Sequence, residues 1–286
     1  MKKVILMVIS FAFTLVLAFI TVTVKAQATE FNHKTGKYLE IDGANIYYEE
    51  IENAGKPALL FLHGGMGNIA DFNPLVPMFA NDYHIVGIDS RGHGKSTLGT
   101  EKLTYRRLQL DVETIVNHLK LKNIDIIGYS DGGVIAYRLA AAKSISIRKI
   151  VTIGATWSLS DAELIEDLMA DANPENNRRW FRRSFEFHQE HNPALDFDKF
   201  AKCVVEMWTD KTEDGYPLAS VENIKVPTLI IRGNDDYMFP LESAFELTQK
   251  VEKSLLFNIP FAPHAAHRKY PQIFELITKE FLSIRE

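Results

Sequence analysis

A serine hydroxyl attacks a carbonyl carbon only when a base takes its proton and the backbone holds it clear of its neighbours. Gly128-Tyr129-Ser130-Asp131-Gly132-Gly133 meets the second condition. The segment follows a short apolar run at 124–127 and precedes a helix-like stretch at 134–142, giving the pattern strand, G-x-S-x-G, helix. A nucleophile on so tight a turn has strained backbone angles, and its neighbours two positions away must be small. Gly128 and Gly132 fill both positions. The turn lifts the Ser130 hydroxyl from the sheet edge and points N–H groups of the helix start toward it. The plainer reading, a serine in a structural glycine turn, does not account for the two flanks. Asp131 beside it either attracts an ammonium-bearing substrate or stabilises the positive end of the helix.

From about residue 38 to 284 the chain resembles the α/β-hydrolase superfamily. The resemblance implies an α/β fold with a mostly parallel central sheet flanked by helices, a helical cap insertion, and catalytic residues in the order Ser, Asp, His. In that family the acid follows a late strand in the pattern Gly, two residues, Asp, then Pro four further on. Gly233-Asn234-Asp235-Asp236 followed by Pro240 selects Asp236, with Asp235 the competitor as a turn residue bonding its own backbone. The family's histidine lies seven residues before a proline that opens the terminal helix. Pro271 therefore selects His264, and His267 is expected on the loop surface or at a helix start. Pro263 stands where the family usually has glycine, which removes a backbone donor and fixes one dihedral.

His63-Gly64-Gly65-Met66-Gly67 resembles the family's His-Gly loop. It implies an oxyanion hole from the N–H groups of Gly65 and Asp131, with Met66 the alternative to Gly65. His63 is expected to brace that loop. Some amino-acid-ester esterases of the superfamily carry a similar Ser-Asp-Gly-Gly elbow. Two other motifs fail as sites. Gly94-Lys95-Ser96 mimics a phosphate-binding loop, but the glycine required five positions earlier is Asp89. Residues 89–96 instead resemble the superfamily's structural D-x-R-G-x-G-x-S turn. His188-Gln189-Glu190-His191 lacks the i, i+4 histidines of a zinc helix and reads as a solvated face. No metal and no organic cofactor is implied.

The elements that must position these residues are also legible. Residues 38–41 and 45–51 flank Asp42-Gly43-Ala44 as a β-hairpin. Apolar runs at 58–62, 84–88, 124–127, 149–153, 228–231 and 254–259 are mostly continuous rather than alternating, as in a parallel sheet covered on both faces. Between several of them lie helical patterns, the clearest at 104–120. The rhythm stops between about 157 and 226. Helices are expected there from a capping box at Ser160-Asp161-Ala162-Glu163, at 176–189 and at 197–209. Trp157, Trp180, Phe181, Phe185, Phe187 and Trp208 supply this insertion with either a core of its own or an acyl pocket.

The 286 residues are 46% hydrophobic and 24% charged, enough for a sizeable core. Thirty-two basic against 37 acidic residues, net −5, leave no footprint for nucleic acid. Cys203, the sole cysteine, excludes an intramolecular disulfide and a cysteine zinc cluster. Lys2 and Lys3, the apolar run 4–24, and Ala26-Gln27-Ala28 make residues 1–28 an export signal. The run is also long enough for an N-terminal membrane anchor. Either reading places one hydrolase domain, 29–286, outside the cytoplasm, periplasmic, secreted or anchored. The expected activity is cleavage of a small carboxylic ester or amide through an acyl-enzyme. Competing readings are a C–C bond hydrolase, a cofactor-free haloperoxidase-like fold-mate, or a catalytically silent binding protein.

Overall fold

The computed structural model describes residues 30–194 and 196–284. The expected signal or anchor at 1–28 lies outside the described residues. Among those described, no helix is long and apolar enough to cross a membrane.

Strands β1 (Lys37–Ile41) and β2 (Ala44–Ile51) form the expected hairpin, and the later runs become β3 (Ala58–Leu62), β4 (His84–Ile88), β5 (Ile124–Tyr129), β6 (Ile147–Ile153), β7 (Thr228–Gly233) and β8 (Ser254–Ile259). They make one sheet in the order β1-β2-β4-β3-β5-β6-β7-β8. The β1–β2 and β2–β4 pairs are antiparallel; from β4 to β8 every pair is parallel.

Alternation along each strand divides the core in two. Leu60, Leu62, Ile126, Ile150 and Ile230 join one buried cluster, while Leu59, Phe61, Ile127, Val151 and Ile231 join the other. A strand with two buried faces has no polar face to show, which is why these runs read as unbroken apolar sequence. Each such side chain stabilises the fold by roughly 1.5–3 kcal/mol relative to exposure.

Helices cover both faces. The first cluster is closed by α2 (Tyr105–His118), α3 (Asp131–Ala142) and α8 (Leu241–Lys250), and the second by α1 (Val76–Phe79), α9 (Ala266–Lys269) and α10 (Pro271–Ser283). Buried Lys149 on β6 donates to the carbonyls of Phe281, Leu282 and Ile284, placing a cation at the negative end of α10. Between β6 and β7 lie α4 (Leu159–Leu168), α5 (Pro174–Trp180), α6 (Arg182–His191) and α7 (Phe197–Trp208), with no strand among the described residues.

Three local expectations are corrected here. The capping box of α4 opens at Ser158, not Ser160: Ser158 Oγ accepts from Asp161 N–H, and the Asp161 carboxylate accepts from the N–H groups of Trp157 and Ser158. Asp161 also accepts from Ser243 Oγ of α8, so long-range packing selects between the two serines. The single helix expected at 176–189 is two helices broken at Phe181, whose φ of −108° and ψ of 39° leave the helical region. His188 is buried, not solvated, and stacks on Phe200 at 5.4 Å.

His267 is corrected as well. It does sit at a helix start, in α9, but is buried among Phe72, Tyr129 and Phe274. Among the described residues, neither ring nitrogen has a hydrogen-bond partner. Burial, reinforced by Arg268 and His264, lowers its pKa to about 3; burial also takes His93 to about 3, with His63 adding to the effect. A histidine neutral in the fold and chargeable when unfolded gives stability that is complete above pH 6.5 and lost as pH falls toward 3. Each contributes a slope of about 1.4 kcal/mol per pH unit in that window. Urea unfolding between pH 7 and 4 is expected to show this decline, and His267→Leu to remove one histidine's share of it; an unchanged slope contradicts the assignment.

Candidate active site

β5 ends in Tyr129, α3 starts at Asp131, and the whole reversal falls on Ser130. Its φ of 51° and ψ of −118° are strained for a residue with a Cβ, at a cost of order 1–3 kcal/mol. Backbone bonds hold it there. Ser130 N–H donates to Ile153 O at 2.8 Å, and its carbonyl accepts from Gly133 and Val134. The steric demand on the flanking glycines is met in full. A methyl on Gly128 would lie 2.4 Å from the Gly132 carbonyl oxygen, and one on Gly132 only 1.9 Å from that of Leu62.

Ser130, His264 and Asp236 come together. His264 Nε2 lies 3.0 Å from Ser130 Oγ, and its Nδ1 lies 2.9 Å from Asp236 Oδ2. A carboxylate only accepts, so Nδ1 carries the proton and Nε2 turns its lone pair to the serine hydroxyl. The other Asp236 oxygen accepts from the N–H groups of Met238 and Phe239. Asp235, the competitor, is exposed, and among the described residues its side chain accepts only from neighbouring Asn234. Pro263 does not displace the histidine. Asp235 N–H donates to Ala262 O at 2.9 Å, pinning the loop that carries it to the turn that carries the acid.

The loop after β3 reaches the elbow from the other side. A methyl on Gly64 would lie 3.1 Å from Ser130 Cβ. His63 is buried and braces this loop: Ser90 N–H donates to Nε2, which leaves Nδ1 to donate to Gly64 O at 2.8 Å. Among the described residues, the N–H groups of Gly65, Met66 and Asp131 have no acceptor. The 89–96 turn is structural. Arg91 is buried in a two-bond pairing with Asp111, while Asp89 accepts from His33 and from the N–H groups of Ile69 and Lys95.

These groups open into a cavity of about 420 Å³. Ser130, Asp131 and His264 form its floor, Tyr105, Thr156 and Tyr216 a polar side, and Leu168, Met169, Trp180, Phe181 and Trp208 an apolar roof. The other aromatic residues of the insertion serve packing: Trp157 is buried with its indole N–H on Ser243 O, Phe185 packs on Phe197, and Phe187 packs on His33 and His191. Asp131 is buried at the floor. Its carboxylate accepts from Tyr105 Oη at 2.9 Å and from Trp208 Nε1 at 2.8 Å. Burial raises its pKa, while these hydrogen bonds favour the ionised form and oppose the shift. Among the described residues, no groups of three or more His, Cys, Asp or Glu are placed to hold a metal ion.

Arg232 escapes motif reading. Buried at the end of β7, it donates to the carbonyls of Asp236 and Phe239 and to Asn258 Oδ1, clamping the acid turn. Its one sequence signal is an arginine within an apolar strand.

The distinction between the two aspartates has a kinetic consequence. In the turnover of any ester substrate, Asp236→Asn is expected to lower kcat by about 10³–10⁴, through loss of the correct imidazole tautomer. Asp235→Asn is expected to stay within about twofold of the parent. Equal losses, or the larger loss at Asp235, contradict the placement.

Comparison with known proteins agrees with this architecture. The family model for the α/β-hydrolase fold matches residues 57–197. The human serine hydrolase BPHL is 25% identical over 260 residues, covering 87% of this chain and 86% of its own. The 3-oxoadipate enol-lactonase 1 of Acinetobacter baylyi is 26% identical over 250 residues, covering 81% and 90%. The crystal structure of a hydrolase from Pseudomonas aeruginosa superposes with a TM-score of 0.74 at 20% identity, covering 88% of this chain and all of that one. On strand order, superposition and sequence relatedness together, the chain has the α/β-hydrolase fold.

Proposed function

We propose that the protein is a serine hydrolase that cleaves small carboxylic esters through an acyl-enzyme. The observation that carries this reading is the placement of His264 within hydrogen-bond reach of both Ser130 and Asp236. His264 takes the Ser130 proton as Oγ attacks the ester carbonyl carbon, and Asp236 stabilises the imidazolium that forms. The tetrahedral oxyanion is received by the N–H groups of Asp131 and Gly65, or of Met66 in place of Gly65. Each donor contributes roughly 3 kcal/mol of barrier lowering. His264 then gives its proton to the departing alkoxide. A water, deprotonated in turn by His264, attacks the acyl-enzyme, releasing the acid and restoring Ser130.

The cavity volume is within the range of about 300–1,000 Å³ usual for small-molecule sites, and its roof is apolar, which suits an acyl group better than a polymer. Relatives named as a serine hydrolase and an enol-lactonase support the same chemistry. Amides fit the same groups but need a stronger push on the leaving nitrogen, so esters are the first substrates to test. The basic and apolar pattern of residues 1–28 supports export of the domain.

Wild-type protein is expected to release p-nitrophenolate and the matching acid in equal amounts from short-chain p-nitrophenyl esters. Ser130→Ala is expected to cut that turnover by at least about 10⁴. An active Ser130→Ala enzyme refutes the nucleophile. A wild-type protein inert to esters but active on a vinylogous diketone, or on peroxide with halide, favours the C–C hydrolase or haloperoxidase-like reading.

A further inference from the structure

Acyl-enzyme chemistry asks only the backbone N–H of Asp131 to act, yet its side chain is the most heavily engaged group on the cavity floor. The carboxylate links three elements. It accepts from Tyr105 Oη of α2 and, at 2.8 and 3.0 Å from its two oxygens, from the indole N–H of Trp208 at the end of α7. Trp208 is held on other sides as well. Its backbone carbonyl accepts from Tyr216 Oη, and its ring meets that of Phe181 edge-on at 5.8 Å. The Cζ2 edge presses on the loop after β3 so closely that a methyl on Gly65 would lie 2.5 Å from it. The same methyl would lie 2.6 Å from Asp131 Oδ2.

The indole therefore closes the seam between the helical insertion and the loop that offers the second oxyanion donor. A substrate whose carbonyl oxygen enters between Asp131 and Gly65 meets Trp208 at once on that side. Its chain is left the rest of the cavity, whose lining includes Leu168, Met169 and Trp180. An indole with one polar atom swings unless that atom is tied, and a carboxylate ties it with either oxygen. Asn or Ser at 131 offers a single acceptor atom for both donors.

We propose that Trp208 is the specificity-determining wall of the cavity, limiting chain length on the oxyanion side, and that Asp131, with Tyr105, is the residue pair that positions it. This rests on the ester-hydrolase reading above. The ammonium-anchoring use of Asp131 is the competing reading of the same carboxylate. Both oxygens are already engaged by Trp208 and Tyr105, which favours positioning.

The test is the kcat/KM profile on p-nitrophenyl acetate, butyrate, octanoate and decanoate for wild type, Trp208→Ala, Trp208→Phe, Tyr105→Phe and Asp131→Asn, with one amino-acid ester in parallel. Trp208→Ala is expected to raise the decanoate-to-acetate ratio by at least about tenfold, mainly through KM for the long ester. Trp208→Phe, which keeps most of the wall and loses the N–H, is expected to shift the ratio less. Tyr105→Phe and Asp131→Asn are expected to shift it in the same direction, whereas a merely destabilised enzyme loses all esters alike. A folded Trp208→Ala enzyme with an unchanged ratio overturns the wall. An Asp131→Asn enzyme with an unchanged chain profile and a selective loss on the amino-acid ester overturns the positioning role in favour of ammonium binding. A wild-type protein without any ester turnover overturns the ester reading, and this proposal with it.

Discussion

Ser130 can hold its strained angles only because the chain around it has almost no bulk. Gly128 and Gly132 let strand, turn and helix pass within contact distance of one another and of the β3 end. That crowding puts three things within reach of one hydroxyl: the loop after β3, the start of α3 and the loop after β8. The parallel sheet makes the arrangement possible, because β3, β5, β7 and β8 all deliver their carboxyl ends to the same edge. Residues 134 positions apart in the chain, Ser130 and His264, are brought to 3.0 Å by this topology. The strain at one residue is offset by two buried layers of Val, Leu and Ile that hold the strands in register.

The electrostatics of the site follow from its burial. Asp236 accepts from two backbone N–H donors and the imidazole, and Arg232 fixes the turn through carbonyls without competing for the carboxylate. Asp131 is solved differently. No lysine or arginine among the described residues pairs with it, and two neutral donors share the work of hydration. The nearby histidines divide by their partners. His264 has one on each ring nitrogen, His63 is locked between two backbone groups, and His267 has none among the described residues and stays neutral.

Much of this was legible in the chain because it depends on local sterics or on burial of whole strands. Continuous apolar runs gave the sheet, and the small residues around Ser130 gave the elbow. The choice of His264 over His267, and of Asp236 over Asp235, came from the resemblance to the superfamily, whose glycine and proline spacing these positions match. What escaped was decided by contacts distant in sequence. Ser158 wins over Ser160 as a cap because its partner Asp161 also serves Ser243, 82 residues away. The break at Phe181 has no proline or glycine to announce it. His188 looks solvated in a polar helix and is buried by Phe200 of the next one. The link from Asp131 to Trp208 spans 77 residues and joins residue types with no motif between them.

The central claim is that Ser130 is a nucleophile activated by His264. Its most direct measurement is reaction of the folded protein with a fluorophosphonate, followed by peptide mass mapping. The account predicts one adduct per chain, on the peptide containing Ser130, formed at least about 100-fold more slowly when His264 is replaced by alanine. An adduct on another residue, no adduct at all, or a rate indifferent to His264 contradicts it.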